Sequence, residues 1–403
     1  MVFTVWYYIT SLLLALVNSL DLLINIVAVR ILKFDLQEIA ILKALWALVI
    51  LFSSIHTKIL SQRGYSKRLL LIGFLLLSTS LIVLYLSTIN TIREALYVSY
   101  MLHAVAFIYC RVGVQTSIVE NYFSNIWGSI NRRVSATTIL LDGLFLTLLS
   151  ILWINVFTLS YSIILLVLYI FTGFLSYLII PQPILRLTRL VEKIERNIAV
   201  GLIPIDNLLV LSSLDPYMNT TQIKTRSLYR RISSGLGLII ISLVLFRISS
   251  EYLFTPLPYI LINMMSLSTE SILMLYGLGK ILASILLALI PLSKINNRIF
   301  SIAIAIRVFS VYTLLAIKLP SQVLSILLSL IYVCGVVIDI SIYTTYLKIT
   351  GGERITAYTM LGEIASFIGA LTSSQALRTL GLTYLSLTIG ILNTISLLIL
   401  LKL

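Results

Sequence analysis

Charge is what this sequence most lacks. Of its 403 residues only 11% are Asp, Glu, Lys or Arg, while 59% are hydrophobic. A soluble domain carries roughly 25% charged residues, so a surface facing water throughout is excluded and most of it must face lipid. Cysteine is scarce too. Cys110 and Cys334 both sit in apolar runs, read as buried thiols, and carry no redox-compartment signal. Together with His56 and His103 they have no metal-ligand spacing, which leaves no expected metal or cofactor. No phosphate-binding glycine loop is present, which excludes an ATP-driven engine in this chain, and no nucleophile–base constellation points to an enzyme. The apolar N-terminus lacks a basic n-region and reads as a full-length span rather than a cleavable signal peptide.

What is present is a succession of apolar stretches of spanning length. A membrane helix needs about 20 mostly apolar residues, and lipid tolerates no unpaired backbone polar groups. The runs are too long and continuous for barrel strands. They predict twelve helices at about 5–29, 37–58, 68–88, 92–119, 134–155, 160–180, 234–258, 270–292, 298–318, 321–346, 355–377 and 382–401. The fold class expected is therefore an all-α polytopic membrane protein of two six-helix bundles, 1–180 and 234–403, joined by a cytoplasmic linker at 181–233.

Lys and Arg accumulate on the cytoplasmic side of membrane proteins. With both termini inside, the inner loops hold Lys58, Arg63, Lys67, Arg68, Arg132, Arg133, Lys294, Arg298, Lys348 and Arg354, besides the basic residues of the linker. The outer loops hold only Arg30, Lys33, Arg93, Lys318 and Arg378. The net charge of +14 is mostly this bias and calls for no nucleic-acid partner.

Within the linker, residues 184–200 align Leu187, Leu190, Val191, Ile194 and Ile198 on one face, with Arg189, Lys193 and Arg196 elsewhere. That pattern predicts an amphipathic helix on the inner leaflet.

The two halves resemble each other. Arg133-Val-Ser-Ala-Thr-Thr-Ile-Leu-Leu-Asp142 stands against Arg354-Ile-Thr-Ala-Tyr-Thr-Met-Leu-Gly-Glu363, with most positions identical or similar and an acid closing both. Ile108, Tyr109 and Gly113 match Ile331, Tyr332 and Gly335 just upstream. Duplicated halves are a building plan of secondary transporters.

Between helices 2 and 3 the chain reads Lys58-Ile-Leu-Ser-Gln-Arg63-Gly64-Tyr-Ser-Lys67-Arg68, followed by an apolar run. This resembles the G-x-x-x-D-R-x-G-R-K-R signature of the major facilitator superfamily. Lys58 stands for the first Gly, Gln62 for the Asp, and Gly64 comes one place early. Glu120 at the end of helix 4 and Arg132–Arg133 opening helix 5 are similar to the same family. The resemblance implies a cytoplasmic gate motif of Arg63, Gly64, Lys67, Arg68, Glu120, Arg133 and Arg354. It also implies a central cavity lined by helices 1, 4, 7 and 10, and a moving interface where helix 5 meets 8 and helix 2 meets 11.

Ionisable residues inside a bilayer cost at least about 2.5–3.5 kcal/mol each on insertion scales, so their retention marks function. They are Asp21, Lys43, Arg111, Asp142, Arg247, Glu251, Lys280, Arg307, Asp339 and Glu363, acids and bases in equal number. At 1.5 Å per residue, Asp142 lies about 13 Å and Lys280 about 15 Å from the ends of their helices, both near the midplane. They form the expected inter-bundle pair, with Lys43–Glu363 as its symmetry mate. Asp21, Arg111 and Asp339 are the expected substrate and coupling residues. A carboxyl withdrawn from water favours its neutral form unless a cation opposes it, which makes Asp21 a candidate proton carrier. Arg111 is either its partner or an anchor for an anionic substrate group. Arg247 and Glu251, four apart, suggest a local salt bridge.

The leading expectation is a plasma-membrane secondary carrier, working as a monomer, that moves a small solute by alternating access with proton coupling. Two other classes fit the same layout. One is a flippase-like exporter of lipid-linked or amphipathic substrates, which needs a strongly cationic cavity. The other is a non-transporting polytopic protein, which needs no inter-half cavity.

Overall fold

The computed structural model describes residues 6–122, 126–152, 159–181, 218–290, 297–317, 319–350 and 355–401. Among these residues the structure is helical, without strands. Ten of the helices are long and apolar enough to cross a membrane. The protein is an all-α multi-pass membrane protein.

In chain order the first six helices are α1 (Trp6–Ile26), α2 (Leu36–Gln62), α3 (Ser66–Asn90), α4 (Arg93–Asn121), α5 (Trp127–Leu152) and α6 (Leu159–Ile179). Then follow α7 (Met218–Phe254), α8 (Thr269–Leu289), α9 (Asn297–Ala316), α10 (Ser321–Thr350) and one long helix, Ile355–Leu400. Gly381, at φ 71 and ψ 176, interrupts this last helix. We call residues 355–380 α11 and 382–400 α12. Only glycine takes that backbone conformation without strain, so the bend is written into the sequence at one residue.

Helix ends follow local chemistry. Asp35 and Glu38 form a reciprocal capping box at the start of α2: Asp35 Oδ1 accepts from the Glu38 N–H at 2.7 Å, and Glu38 Oε2 accepts from the Asp35 N–H at 2.8 Å. This satisfies backbone donors that a helix start leaves open. The Ser268 hydroxyl accepts from the Ser271 N–H at the start of α8.

The connections before these two caps are alike in detail. α1 runs into a π-helical turn at Val27–Ile31, then Lys33 takes φ 55, then comes the cap. After α7 a short turn leads to a π-helical segment at Ile260–Met264, then Ser266 takes φ 56, then comes the cap. Aligned on Lys33 and Ser266, the two stretches share few identities but the same order of apolar and polar residues, and the conformation makes the repeat plain.

Several spans differ from expectation. α5 begins at Trp127 rather than 134, and α7 at Met218 rather than 234. No Gly or Pro interrupts either extension apart from Gly128, and continuing a helix keeps its backbone hydrogen-bonded beyond the apolar layer. The last part of the expected linker is therefore helix. The amphipathic stretch at 184–200 and Arg354 lie outside the described residues.

Packing repeats as well. α1 packs on α4, α5 and α6, α3 on α4 and α6, and α2 on α4. Correspondingly, α7 packs on α10 and on the 355–400 helix, α9 on α10 and the same helix, and α8 on α10. Ser242 on α7 meets Ser396 on α12 at 2.6 Å, and Ser249 donates to Asn393 at 3.2 Å. Between the two sets, α5 packs on α8, and α2 on the 355–400 helix.

The α5–α8 crossing is a glycine contact. A Cβ on Gly143 would lie 2.8 Å from the Gly277 carbonyl oxygen and 2.9 Å from the Ile281 nitrogen. Backbone cannot yield to it, so the helices approach only because the side chain is missing. Gly237 on α7 has nothing within 4 Å of its would-be Cβ. We predict that Gly143→Ala destabilises the protein by about 1–3 kcal/mol through overpacking. Gly237→Ala should be neutral or stabilising by up to about 1 kcal/mol through helix propensity. Thermal unfolding in detergent reads both, and equal effects would contradict the close crossing.

Candidate functional site

A cavity of about 460 Å³ opens between the two sets of helices. That volume lies in the range of small-molecule sites. Its wall draws residues from α1, α2, α4, α5, α7, α8 and α10. Tyr100, His103, Phe107 and Arg111 recur at helical spacing on α4, as do Tyr332, Val336, Asp339 and Tyr343 on α10. Each stripe turns one face of its helix inward. The aromatic members of these stripes escaped the sequence reading, although the spacing was there to find.

The charges in the wall fall into three clusters. In the first, Lys43 Nζ on α2 donates to both oxygens of Asp21 on α1, at 2.9 and 3.0 Å. The Tyr100 hydroxyl on α4 donates to Asp21 Oδ1 at 2.6 Å. A rack of rings holds these groups: Tyr100 stacks on His103 at 5.9 Å between centroids, and Lys43 lies over the rings of Tyr100 and Trp46. Trp46 Nε1 can only donate, so the His103 Nδ1 that receives it at 3.2 Å carries no proton. His103 Nε2 then donates to the Val17 carbonyl at 2.8 Å, and the ring is neutral.

In the second cluster, Lys280 Nζ on α8 lies 2.6 Å from Asp142 Oδ2 on α5. The Ser19 hydroxyl on α1 donates to Asp142 Oδ1, also at 2.6 Å. Asp142 is 1% exposed and Lys280 8%. This ion pair joins the first six helices to the last six, beside the Gly143–Gly277 contact. In the third cluster, Arg247 Nη2 on α7 donates to Asp339 Oδ1 on α10 at 2.8 Å. The Tyr358 hydroxyl donates to the same oxygen at 3.2 Å, and Arg111 Nη2 approaches Asp339 Oδ2 only to 3.7 Å.

Three expected pairings are corrected here. Lys43 does not pair with Glu363: its ion pair is with Asp21, inside the first six helices. Asp21 is not opposed by Arg111, which lies against Asp339. Arg247 makes no local bridge to Glu251; it turns to Asp339, and Glu251 Oε2 instead accepts from the Thr255 hydroxyl at 2.7 Å. In each case an oppositely charged group that folding brings nearer takes the place of the expected partner.

The remaining candidates lie away from the cavity. Arg63 caps the end of α2 through its backbone N–H, and Gly64 takes φ 70 in the turn that follows. Lys67 Nζ donates to the Leu178 carbonyl at 3.4 Å and lies over the Tyr177 ring, both on α6. Arg68 stacks over Tyr65. Arg133 lies near the Tyr7 side chain on α1, Arg132 donates to the Ile290 carbonyl just after α8, and Glu120 is half-buried at the end of α4. At the opposite end, Arg93 pairs with Glu38 at 2.7 Å and Arg378 with Asp35 at 3.6 Å. Arg307, 1% exposed, donates to the Ser250 hydroxyl at 2.8 Å and covers the Phe246 ring.

No family model matches this chain, and no curated protein matches it in sequence.

Removing one member of a buried ion pair leaves an uncompensated charge and costs about 3–5 kcal/mol, whereas replacing both by apolar groups is often neutral. Lys280→Met alone should therefore destabilise the protein in detergent by about that amount, and Lys280→Met with Asp142→Leu should recover most of it. A double variant as unstable as the single would mean that the two residues are not coupled.

Proposed function

We propose that this protein is a secondary carrier that moves a small solute across the plasma membrane by alternating access, coupled to protons. The observation that carries this reading is the inter-half cavity, crossed by the buried Asp142–Lys280 pair. A protein that only assembles others needs no such cavity. An ion pair at the seam between halves, next to a close glycine crossing, can hold one arrangement of the halves and release another.

In this reading the chain forms twelve spans as two bundles of six, with both termini cytoplasmic. The repeated π-helical connections and the matching packing partners support the duplication. The resemblance to the major facilitator superfamily at residues 58–68 agrees with it. The excess of Lys and Arg in the expected inner loops supports the orientation, and Arg93 and Arg378 lie at the end opposite Lys67 and Arg132.

The solute is small, and Arg111 is the group that anchors it. Arg111 faces the cavity, and its one carboxylate contact among the described residues is the long 3.7 Å approach to Asp339. A flippase-like site would need a cationic wall, and here Lys43 and Lys280 are each taken up by a carboxylate.

Purified protein in liposomes tests this. Uptake of some member of a panel of small organic anions should rise when the outside is acidified, and Arg111→Gln should lower it at least about tenfold, as loss of a charge-assisted contact worth ~1.5–3 kcal/mol implies. Flux that ignores both the pH gradient and Arg111 would refute the reading.

A further inference from the structure

We propose that Glu363 is the group that binds the coupling proton, and that the Arg247–Asp339 pair links its protonation to the freedom of Arg111 to hold an anionic solute. The inference rests on the transport reading above and deepens it.

Asp21, the candidate from sequence, is ruled out by its partners. Both its oxygens take Lys43, and one takes Tyr100 as well. A carboxylate so fully supplied with donors is held ionised. Asp142 likewise has a donor on each oxygen, Lys280 on one and Ser19 on the other. Glu363 is different. It is 4% exposed, and its Oε2 has no hydrogen-bond partner. An ionised oxygen buried without a donor is costly, and the group escapes that cost by taking up a proton. Glu363 stands in the repeat where Asp142 stands, but the lysine that might have met it, Lys43, is committed to Asp21.

The groups facing Glu363 supply the link. From α7 come Arg247 and Glu251, from α4 Arg111, and from α10 Asp339. On its own helix Tyr358 donates to Asp339. From α2, Lys43 is paired with Asp21 and otherwise influences Glu251, and Arg307 of α9 is bound to Ser250. Arg247 is thus the cation open to Glu363. Its Nε is buried and has no hydrogen-bond partner. That edge faces α11 at Gly362, where a Cβ would lie 3.5 Å from it. The unpartnered arginine nitrogen therefore lies against the turn of α11 that carries Glu363, and Arg247 is the strongest cationic influence on that carboxyl.

With Glu363 neutral, Arg247 stays on Asp339 at 2.8 Å, and Arg111 stands off at 3.7 Å with its guanidinium in the cavity. This is the arrangement seen. When the proton leaves, the buried Glu363 charge draws Arg247. Asp339, itself in the cavity wall, then loses its close cation and draws Arg111 into a tight pair, so that the guanidinium is no longer open to an anion. Proton and anion consequently favour each other's binding, a reciprocity that linkage requires, and the two cross together.

Two measurements on detergent-solubilised protein without solute test this. In an infrared pH titration, the wild type should show the C=O stretch of a buried protonated carboxyl that disappears at alkaline pH. Glu363→Gln should lose that band, Glu363→Asp should shift it, and Asp21→Asn should leave it. Loss of the band in Asp21→Asn, or its persistence in Glu363→Gln, overturns the assignment. Should Glu363→Gln fail to fold, the shifted band of Glu363→Asp decides alone.

The second measurement is phenylglyoxal modification of Arg111, followed by peptide mass spectrometry at one alkaline pH. Glu363→Gln, locked neutral, should react several-fold faster than wild type. Equal rates overturn the link to Arg111. Neither readout requires transport, so inactive liposomes would overturn the carrier reading while leaving these results to stand.

Discussion

A charge withdrawn from water has to find its opposite, and most of the interior of this protein is arranged around that requirement. Among the charges in the cavity wall, Asp21 is met by Lys43, Asp142 by Lys280, and Asp339 by Arg247. Each pair ties together helices that apolar contact alone would leave free to slide, because lipid tails solvate a leucine as well as another helix does. The pairs also differ in what they join. Lys43–Asp21 and Arg247–Asp339 lie each within one set of six helices, whereas Lys280–Asp142 crosses between sets. The first two stiffen a half, and the third sits where halves would move.

Symmetry and its failure explain the site together. The two sets of helices share their packing partners and the π-helical connection before their second helix. Yet Asp142 has a lysine and Glu363 has none. Duplicated folds with diverged side chains place equivalent positions in unequal electrostatic surroundings, and an acid left without its cation is free to titrate.

Much of the architecture was legible in the chain. Helicity and the approximate positions of ten spans among the described residues follow from hydropathy, because lipid imposes length and helicity on any segment that crosses it. The break expected between 377 and 382 falls at Gly381, whose conformation bends the last helix. The ionisable residues stood out against an apolar background. Less legible were the helix extensions at 127 and 218, where the chain leaves the apolar layer without a breaker. The repeat of the π-helical turns went unread, because its residues share only an apolar and polar pattern that many helices have.

The ten intramembrane charges, as a set, were determined by sequence alone: no other explanation accommodates them in runs this apolar. Their pairing was decided only in three dimensions. Lys43 chose Asp21 over Glu363, and Arg247 chose Asp339 over Glu251 four residues along its own helix. Coulomb attraction depends on separation and burial in space, and neither quantity is encoded by spacing along a helix whose neighbours are still unknown.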